Sequence, residues 1–365
     1  MLYGGFVDYE LQLGKAISKQ LDVMMVLPID KLSEEFQQSI DSKINYYTFE
    51  NVKTTNYLDK IRILIDLLKT IHRYKPDIVH LQLGGGILDF SIFLYSYVSR
   101  IPTVITYHDV NLHLGEQHPF TMIVTRGIMR KFSKAIIVHG KKLQEQMIKE
   151  HRVPADKVYS VHIGEHEVAP FKIYERPEIT EDESSILFFG RIYEYKGLEY
   201  LIKAEQMITS KVPNCKIVIA GNGENFGKYD DMIQNRKEYF IVHNYRISYK
   251  EGADLFQRSC LVVLPYVEAS QSGVIPTAYG FKKPVVVTNV GSIPELVDEG
   301  ITGFIVPPRD SQALAEAIIK VLKDDKLRRE MGENAFIKLK RDFSWKNICE
   351  QTIEIYNNIL SQKRK

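Results

Sequence analysis

The chain has few of the residues and patterns that would specify a special class of protein. It has three cysteines in 365 residues, at positions 215, 260 and 349, with no CxxC pair and no histidine cluster beside them. That spacing excludes a disulfide scaffold and a thiolate metal site, and leaves buried reduced thiols in a reducing cytoplasm as the expectation. The opening MLYGGFVDYE lacks the basic flank and apolar core of a secretory signal. The most apolar helical run, 87–98, is too short to span a bilayer and carries Asp89, so no membrane span is expected. Lys and Arg number 48 against 46 Asp and Glu, a formal charge of +2, which gives no general field for recruiting nucleic acid. There is no HExxH, no DxD after a strand, no low-complexity tract and no short-period repeat. No metal and no cofactor are expected, and function must lie in local sites.

Apolar runs alternating with amphipathic stretches fill most of the chain. The runs are 23–27, 78–81, 103–107, 135–138 and 158–163, then 186–189, 216–220, 240–243, 261–264, 285–288 and 304–306. They are continuously hydrophobic rather than alternating, as in strands covered on both faces. Helical periodicity occupies 57–74, 123–132, 197–208 and 311–322. A length of 365 residues exceeds what one core usually takes, so the pattern predicts two α/β domains, each a doubly wound parallel sheet. Periodicity breaks around Pro170 and Pro177 among acidic residues. Domains are therefore expected at 1–168 and 183–345, with a linker at 169–182 and a last helix within 346–365. A doubly wound domain normally opens on an apolar strand, and none precedes the Gly4-Gly5 loop. The N-terminal sheet is expected to be incomplete.

Three elements of the second half point to phosphate chemistry. In Phe189-Gly190-Arg191, followed by Lys196-Gly197, two cations stand five residues apart between a strand end and a helix. Arg grips phosphate in bidentate fashion and Lys adds a point charge, so the pair suits a leaving diphosphate. Ala220-Gly221-Asn222-Gly223 is a turn after a strand, with Gly227 one place too late for a dinucleotide fingerprint; a turn beside a nucleotide base fits it better. In Ser270-Gln271-Ser272-Gly273-Val274, small residues let backbone amides approach an anion at the start of a helix. In the first half, His108 in the TYHD turn is a candidate catalytic group, whereas His80 reads as a satisfied hydrogen-bonding residue. Asp230-Asp231 reads as a solvated helix face.

The segments FFGRIYEYKG, IAGNGE, LPYVEASQSGV, KKPVVVTNVGSIPELV and GITGFIVPPRD together resemble glycosyltransferase family 4, with GGFVDYELQLGKAISKQLDV, PDIVHLQ and PTVITYHD similar to its N-terminal glycine loop and core strands. The resemblance spans nearly the whole chain. It implies the GT-B fold: two Rossmann-like domains facing a central cleft, with the C-terminal helix crossing back to the N-terminal domain. By this resemblance Arg191 and Lys196 match cations on the donor diphosphate, and Gly190, Gly221, Gly223, Ser272, Gly273, Val274 and Thr277 belong to the nucleotide-sugar site. Gly4 and Gly5 match the loop facing donor phosphate and acceptor, and His108 a histidine near the donor sugar. The family's two glutamates, eight positions apart, correspond here to Ala269 and Thr277. Glu268 is the candidate replacement for the sugar-contacting carboxylate, and the SQSGV loop marks a variant branch.

The resemblance implies a retaining transfer from a nucleoside diphosphate sugar to a hydroxyl of a glycan or lipid-linked glycan, as in cell-surface polysaccharide synthesis. The alternative is a catalytically silent subunit of the same fold that binds a sugar nucleotide or a partner transferase. Nine basic residues between 121 and 157, interleaved with Met122, Ile123, Val124, Ile128, Met129 and Phe132, suggest peripheral contact with an anionic membrane. No nucleic-acid partner is expected.

Overall fold

The computed structural model describes residues 6–28, 44–49, 57–82, 86–111, 120–165, 168–223 and 225–363; Gly4 and Gly5 lie outside them. The chain forms two compact units, Met1–His166 with Trp345–Lys365, and Glu167–Ser344.

The first unit runs α1 (Phe6–Ile17), β1 (Met24–Pro28), β2 (Asn45–Phe49), α2 (Tyr57–Tyr74), β3 (Val79–Gln82), α3 (Ile87–Val98), β4 (Thr103–Tyr107), α4 (Phe120–Phe132), β5 (Ala135–Val138), α5 (Lys141–Lys149) and β6 (Val158–Ser160). Its strands form two parallel sheets, β1-β2 and β3-β4-β5-β6. Every residue of β4 and β5 is buried, which is why TVITY and AIIV read as continuous apolar runs. Strand β2 has no counterpart among the predicted runs. Its NYYTF sequence has exposed Asn45 and Thr48 and only Phe49 buried, and among the described residues it pairs with β1 alone, as suits an edge strand.

The second unit runs α6 (Val168–Lys172), β7 (Asp182–Phe189), α7 (Leu198–Lys211), β8 (Lys216–Ala220), α8 (Gly227–Ile233), β9 (Phe240–His243), α9 (Tyr249–Arg258), β10 (Ser259–Leu264), α10 (Val274–Gly280), β11 (Val285–Thr288), β12 (Gly303–Val306), α11 (Ser311–Leu322) and α12 (Asp325–Asp342). Its single parallel sheet has the order β12-β11-β10-β7-β8-β9. One face is covered through Leu198, Leu201, Ile208, Leu314 and Ile318, the other through Phe171, Phe256, Ile275, Tyr279 and Leu339. Asp230 and Asp231 are exposed on α8. The last helix, α13 (Trp345–Lys363), returns to the first unit, where Ile348, Ile355 and Ile359 join Tyr9, Leu13 and Ile17 of α1.

Residues 169–182 are not a free linker. Val168 and Phe171 are 5% exposed in the second unit's core, and Arg176 forms a two-point ion pair with Asp254. The acidic run that suggested a solvated connection instead carries anchors. Glu181 takes an ion pair from Lys283 and another, at 3.3 Å, from Arg328. The prolines interrupt periodicity without releasing the chain, because the charges around them are paired.

Candidate active site

The loop after β7 is held open by its neighbours. Gly190 N–H donates to Ala220 O (3.0 Å), and Ile192 N–H to Asn222 O (2.9 Å), so the 190–192 and 220–223 turns run side by side. A Cβ on Gly221 would overlap the Gly190 carbonyl, and one on Gly223 the Ile192 carbonyl. Both glycines are thus explained by this close backbone approach. Beyond it, Val267 N–H donates to Tyr195 O (2.8 Å) and Glu268 N–H to the same oxygen (3.3 Å), tying 193–197 to the loop after β10.

That tie sets the cations. Lys196 Nζ sits 3.7 Å from the Tyr266 ring centroid, over the negative face of the ring. Tyr266 OH lies 3.3 Å from Ser272 Oγ, so lysine, ring and small-residue loop form one continuous contact. Arg191 is exposed; its guanidinium lies 5.4 Å from the Tyr193 ring centroid and reaches Tyr195 OH at 3.5 Å.

The 269–273 loop rests on the turn after β11. Ser292 N–H donates to Ser270 O (3.0 Å), and Gly291, at φ 50°, leaves no room for a Cβ against the Ala269 carbonyl. Two buried polar atoms, Gln271 Oε1 and Ser292 Oγ, have no hydrogen-bond partner in this pair of turns. Orphaned buried polar atoms are rare and point to a group that supplies the missing partner. Gln271 was not singled out from the sequence; its side chain at a small-residue loop was the available signal.

Two expectations for this loop change. Thr277 is 1% exposed and its hydroxyl donates to Gly273 O (3.0 Å), the back-bonding typical of a helical threonine. It serves its own helix rather than an open surface. Val274 N–H donates to Ser272 Oγ (3.3 Å), so its amide is committed, and α10 has only seven residues. What this loop offers an anion is Ser272, Gly273 and the nearby cations rather than a long helix dipole. Glu268 is half-buried beside Ala269.

In the first unit His108 is 1% exposed and lies within a chain of polar groups. His139 Nδ1 donates to Val161 O (3.0 Å), leaving its Nε2 to accept from His108 Nδ1 (3.0 Å). His108 Nε2 faces the Gln82 amide (3.0 Å), Gln82 reaches His80 Nε2 (3.4 Å), and His80 contacts Thr106 Oγ1 (2.7 Å) and Tyr356 OH (2.6 Å). A neutral His108 accepts at Nε2, which requires the Gln82 amide nitrogen to face it and the amide oxygen to face His80. Both His108 nitrogens are then engaged by side chains of the first unit. Tyr9 meets the rings of His108 and His139 edge-on.

Burial, then the neighbouring His139, pushes His80 from 6.5 down to about 3. A histidine held neutral in the fold but protonated in the unfolded chain makes the unfolded state bind more protons, so stability falls as pH drops through 6.5. Between pH 7 and pH 5 this removes about 2 kcal/mol. Urea unfolding at the two pH values checks it: His80→Gln should lose that much less than the parent, and equal losses would contradict the assignment. The thiols are inert by comparison, since burial pushes Cys215 and Cys260 up to about 12.

Among the described residues no group of His, Cys, Asp and Glu is placed to hold a metal, and no helix is long and apolar enough to cross a membrane. Two family models match the chain, "Glycosyltransferase Family 4" over residues 3–164 and "Glycosyl transferases group 1" over 171–338. The chain belongs to the family 4, group 1 glycosyltransferases. This glycosyltransferase is 26% identical over 296 residues to the alpha-D-kanosaminyltransferase of Streptomyces kanamyceticus, covering 76% of this chain and 75% of that protein. It is 25% identical over 320 residues to the capsular polysaccharide biosynthesis glycosyltransferase CapM of Staphylococcus aureus, covering 83% and 82%. Its fold is GT-B, shared with Anabaena HepE solved with UDP (TM-score 0.73, 18% identity, 98% of both chains).

Proposed function

We propose that this glycosyltransferase moves a sugar from a nucleoside diphosphate sugar to a hydroxyl of a glycan or lipid-linked glycan, with retention and without a metal. The observation that carries the reading is the pair of partnerless atoms, Gln271 Oε1 and Ser292 Oγ, in turns contiguous with Lys196 through Tyr266 and Ser272. A carbonyl oxygen needs a donor, which a phosphate at neutral pH lacks and a sugar hydroxyl has. Cations and amides suit the diphosphate; Gln271 and Ser292 suit the hexose. HepE was solved with UDP and glucose, and with UDP-glucose, and CapM is named for capsular polysaccharide synthesis; both support a nucleotide sugar and a glycan product.

As the donor C1–O bond breaks, its electron pair stays on the departing diphosphate, where Arg191 and Lys196 offset the charge. The acceptor oxygen bonds to C1 on the same face, and its proton passes to the departing phosphate oxygen. No carboxylate base is required, which accommodates Ala269 and Thr277 at the two glutamate positions. Incubation with UDP-, GDP- and ADP-sugars and oligosaccharide acceptors, in the presence of EDTA, tests the reading. A product whose anomeric proton coupling matches the donor supports it. Donor binding with neither transfer nor hydrolysis would favour a silent subunit, and an inverted product would remove retention.

Contact with an anionic membrane fits the first unit. Phe120, Ile123, Val124, Ile128 and Phe132 are exposed on α4, and Ile87, Leu94, Tyr97 and Val98 on α3; Tyr97 and Phe132 meet edge-on. Exposed Lys131 and Lys134 adjoin them. Arg126 leaves the basic surface expected from sequence: it is 7% exposed and donates to Asp109 O (2.6 Å). Flotation with phosphatidylglycerol vesicles should carry the protein, and Phe120→Asp with Ile123→Asp should lower binding about tenfold or more. Equal binding to neutral vesicles would contradict the electrostatic part.

A further inference from the structure

The six-stranded sheet of the second unit ends in β12 on one side and β9 on the other, and the two edges are built differently. At β12 the chain covers its own edge: Ile305 N–H donates to Glu299 Oε2 (2.7 Å), and Gly300 N–H to Gly303 O (2.8 Å). At β9 the strand FIVH carries neither lysine nor proline, and it pairs with β8 without a register shift. It therefore lacks the usual devices that keep sheet edges apart. Its central residues are exposed, Ile241 at 45% and Val242 at 36%, and they lie on opposite faces of the strand.

Main-chain direction decides how this edge can be used. Gly221 N–H donates to His243 O (3.0 Å), so His243 and Ile241 turn their N–H and C=O groups toward β8. Those of Phe240, Val242 and Asn244 point away from the sheet, because the direction alternates along a strand. Phe240 N–H is taken by Lys237 O, which leaves its carbonyl for the outward row. In an antiparallel pair of identical strands outward residues must face outward residues, so the twofold axis passes through a residue and not between two. Charge selects which residue. An axis at Val242 sets Glu238, just before the strand, against Arg246, just after it, at both ends of the pair; both residues are exposed. An axis at Ile241 would oppose Arg236 to Arg246, and like charges across a pair are destabilising. An axis at His243 would oppose Glu238 only to Ser248.

We propose that β9 is a self-association edge: two copies of this chain pair their β9 strands antiparallel about a twofold axis at Val242 and join two six-stranded sheets into one. Val242 N–H and C=O bond Val242 of the second copy in both directions, and Asn244 N–H reaches the second copy's Phe240 C=O. The Glu238–Arg246 pairs close the ladder at each end. A strand of four residues gives a small interface, so the dimer is a reversible one of micromolar affinity. Self-association at this edge requires no sugar transfer.

Sedimentation velocity of the full chain at about 1 to 200 μM tests the edge. The parent should pass from monomer to dimer across that range. Val242→Pro removes an outward N–H and leaves the bonds to β8 in place; it should raise the dissociation constant by about tenfold or more, with the circular dichroism of the parent. Glu238→Arg and Arg246→Glu should each weaken the dimer by about fivefold to tenfold, and the double reversal should restore it, which happens only where these two positions face each other. A chain that stays monomeric at every concentration would overturn the proposal, as would a dimer indifferent to Val242→Pro. A double reversal no tighter than the single variants would do the same.

Discussion

Replacing Lys196 by alanine should lower kcat by on the order of 10² to 10³-fold, with the fold retained. The lysine is held over Tyr266 at 3.7 Å, in a loop tied by its backbone to residues 267 and 268. Its charge is therefore presented with little freedom to lose when a diphosphate departs. Arg191→Ala should cost a similar factor, and because both act on one leaving group, the double variant should fall well short of the product of the two. Lys196→Arg should not restore the rate fully, since a longer, planar and delocalised guanidinium places its charge differently from a compact ammonium. Steady-state kinetics with circular dichroism separates these outcomes from misfolding. A Lys196→Ala enzyme with parental kcat would remove this lysine from the reaction.

Glu181→Ala should destabilise the second unit by about 3 kcal/mol. Glu181 pairs with Lys283 and Arg328, which are 5% and 2% exposed. Removing the carboxylate leaves two buried cations short of a partner; Asp325 and Glu183 still face Arg328, which keeps the loss near the lower end of the range. Arg328 Nη2 already lacks a hydrogen bond, so the site has no spare acceptor to offer. Tm should fall by about 6 to 12 °C. Glu181→Gln, which keeps an acceptor but not the charge, should lose clearly less. A Tm within a degree of the parent for Glu181→Ala would mean that the network adds nothing to stability.

The parallel sheets were legible because their strands are buried on both faces. LVVL, VVVT, TVITY and AIIV each read as one run, and the helices between them keep a 3.6-residue period. Strand β2 was not legible, because NYYTF is a largely exposed or half-exposed edge strand with only Phe49 buried. Residues 169–182 looked like a linker from local composition, whereas Glu181 finds its partners 102 and 147 residues later. The same limit applies to the site. Arg191, Lys196 and the 270–274 loop stand out as residue types in sequence. Gln82 and His139, which fix His108 from 26 and 31 residues away, do not, nor does the partnerless Gln271. Gly221 and Gly223, expected in the nucleotide-sugar site, stand where the 220–223 turn leans on the backbone of residues 190–192.

The most direct test of the donor site is amide hydrogen exchange with UDP, GDP and ADP added in turn. With one of these nucleotides, exchange should slow at 190–197 and 270–274, and Lys196→Ala should abolish the effect. No protection with any of the three, or protection confined to the first unit, would contradict the assignment of the donor diphosphate to these loops.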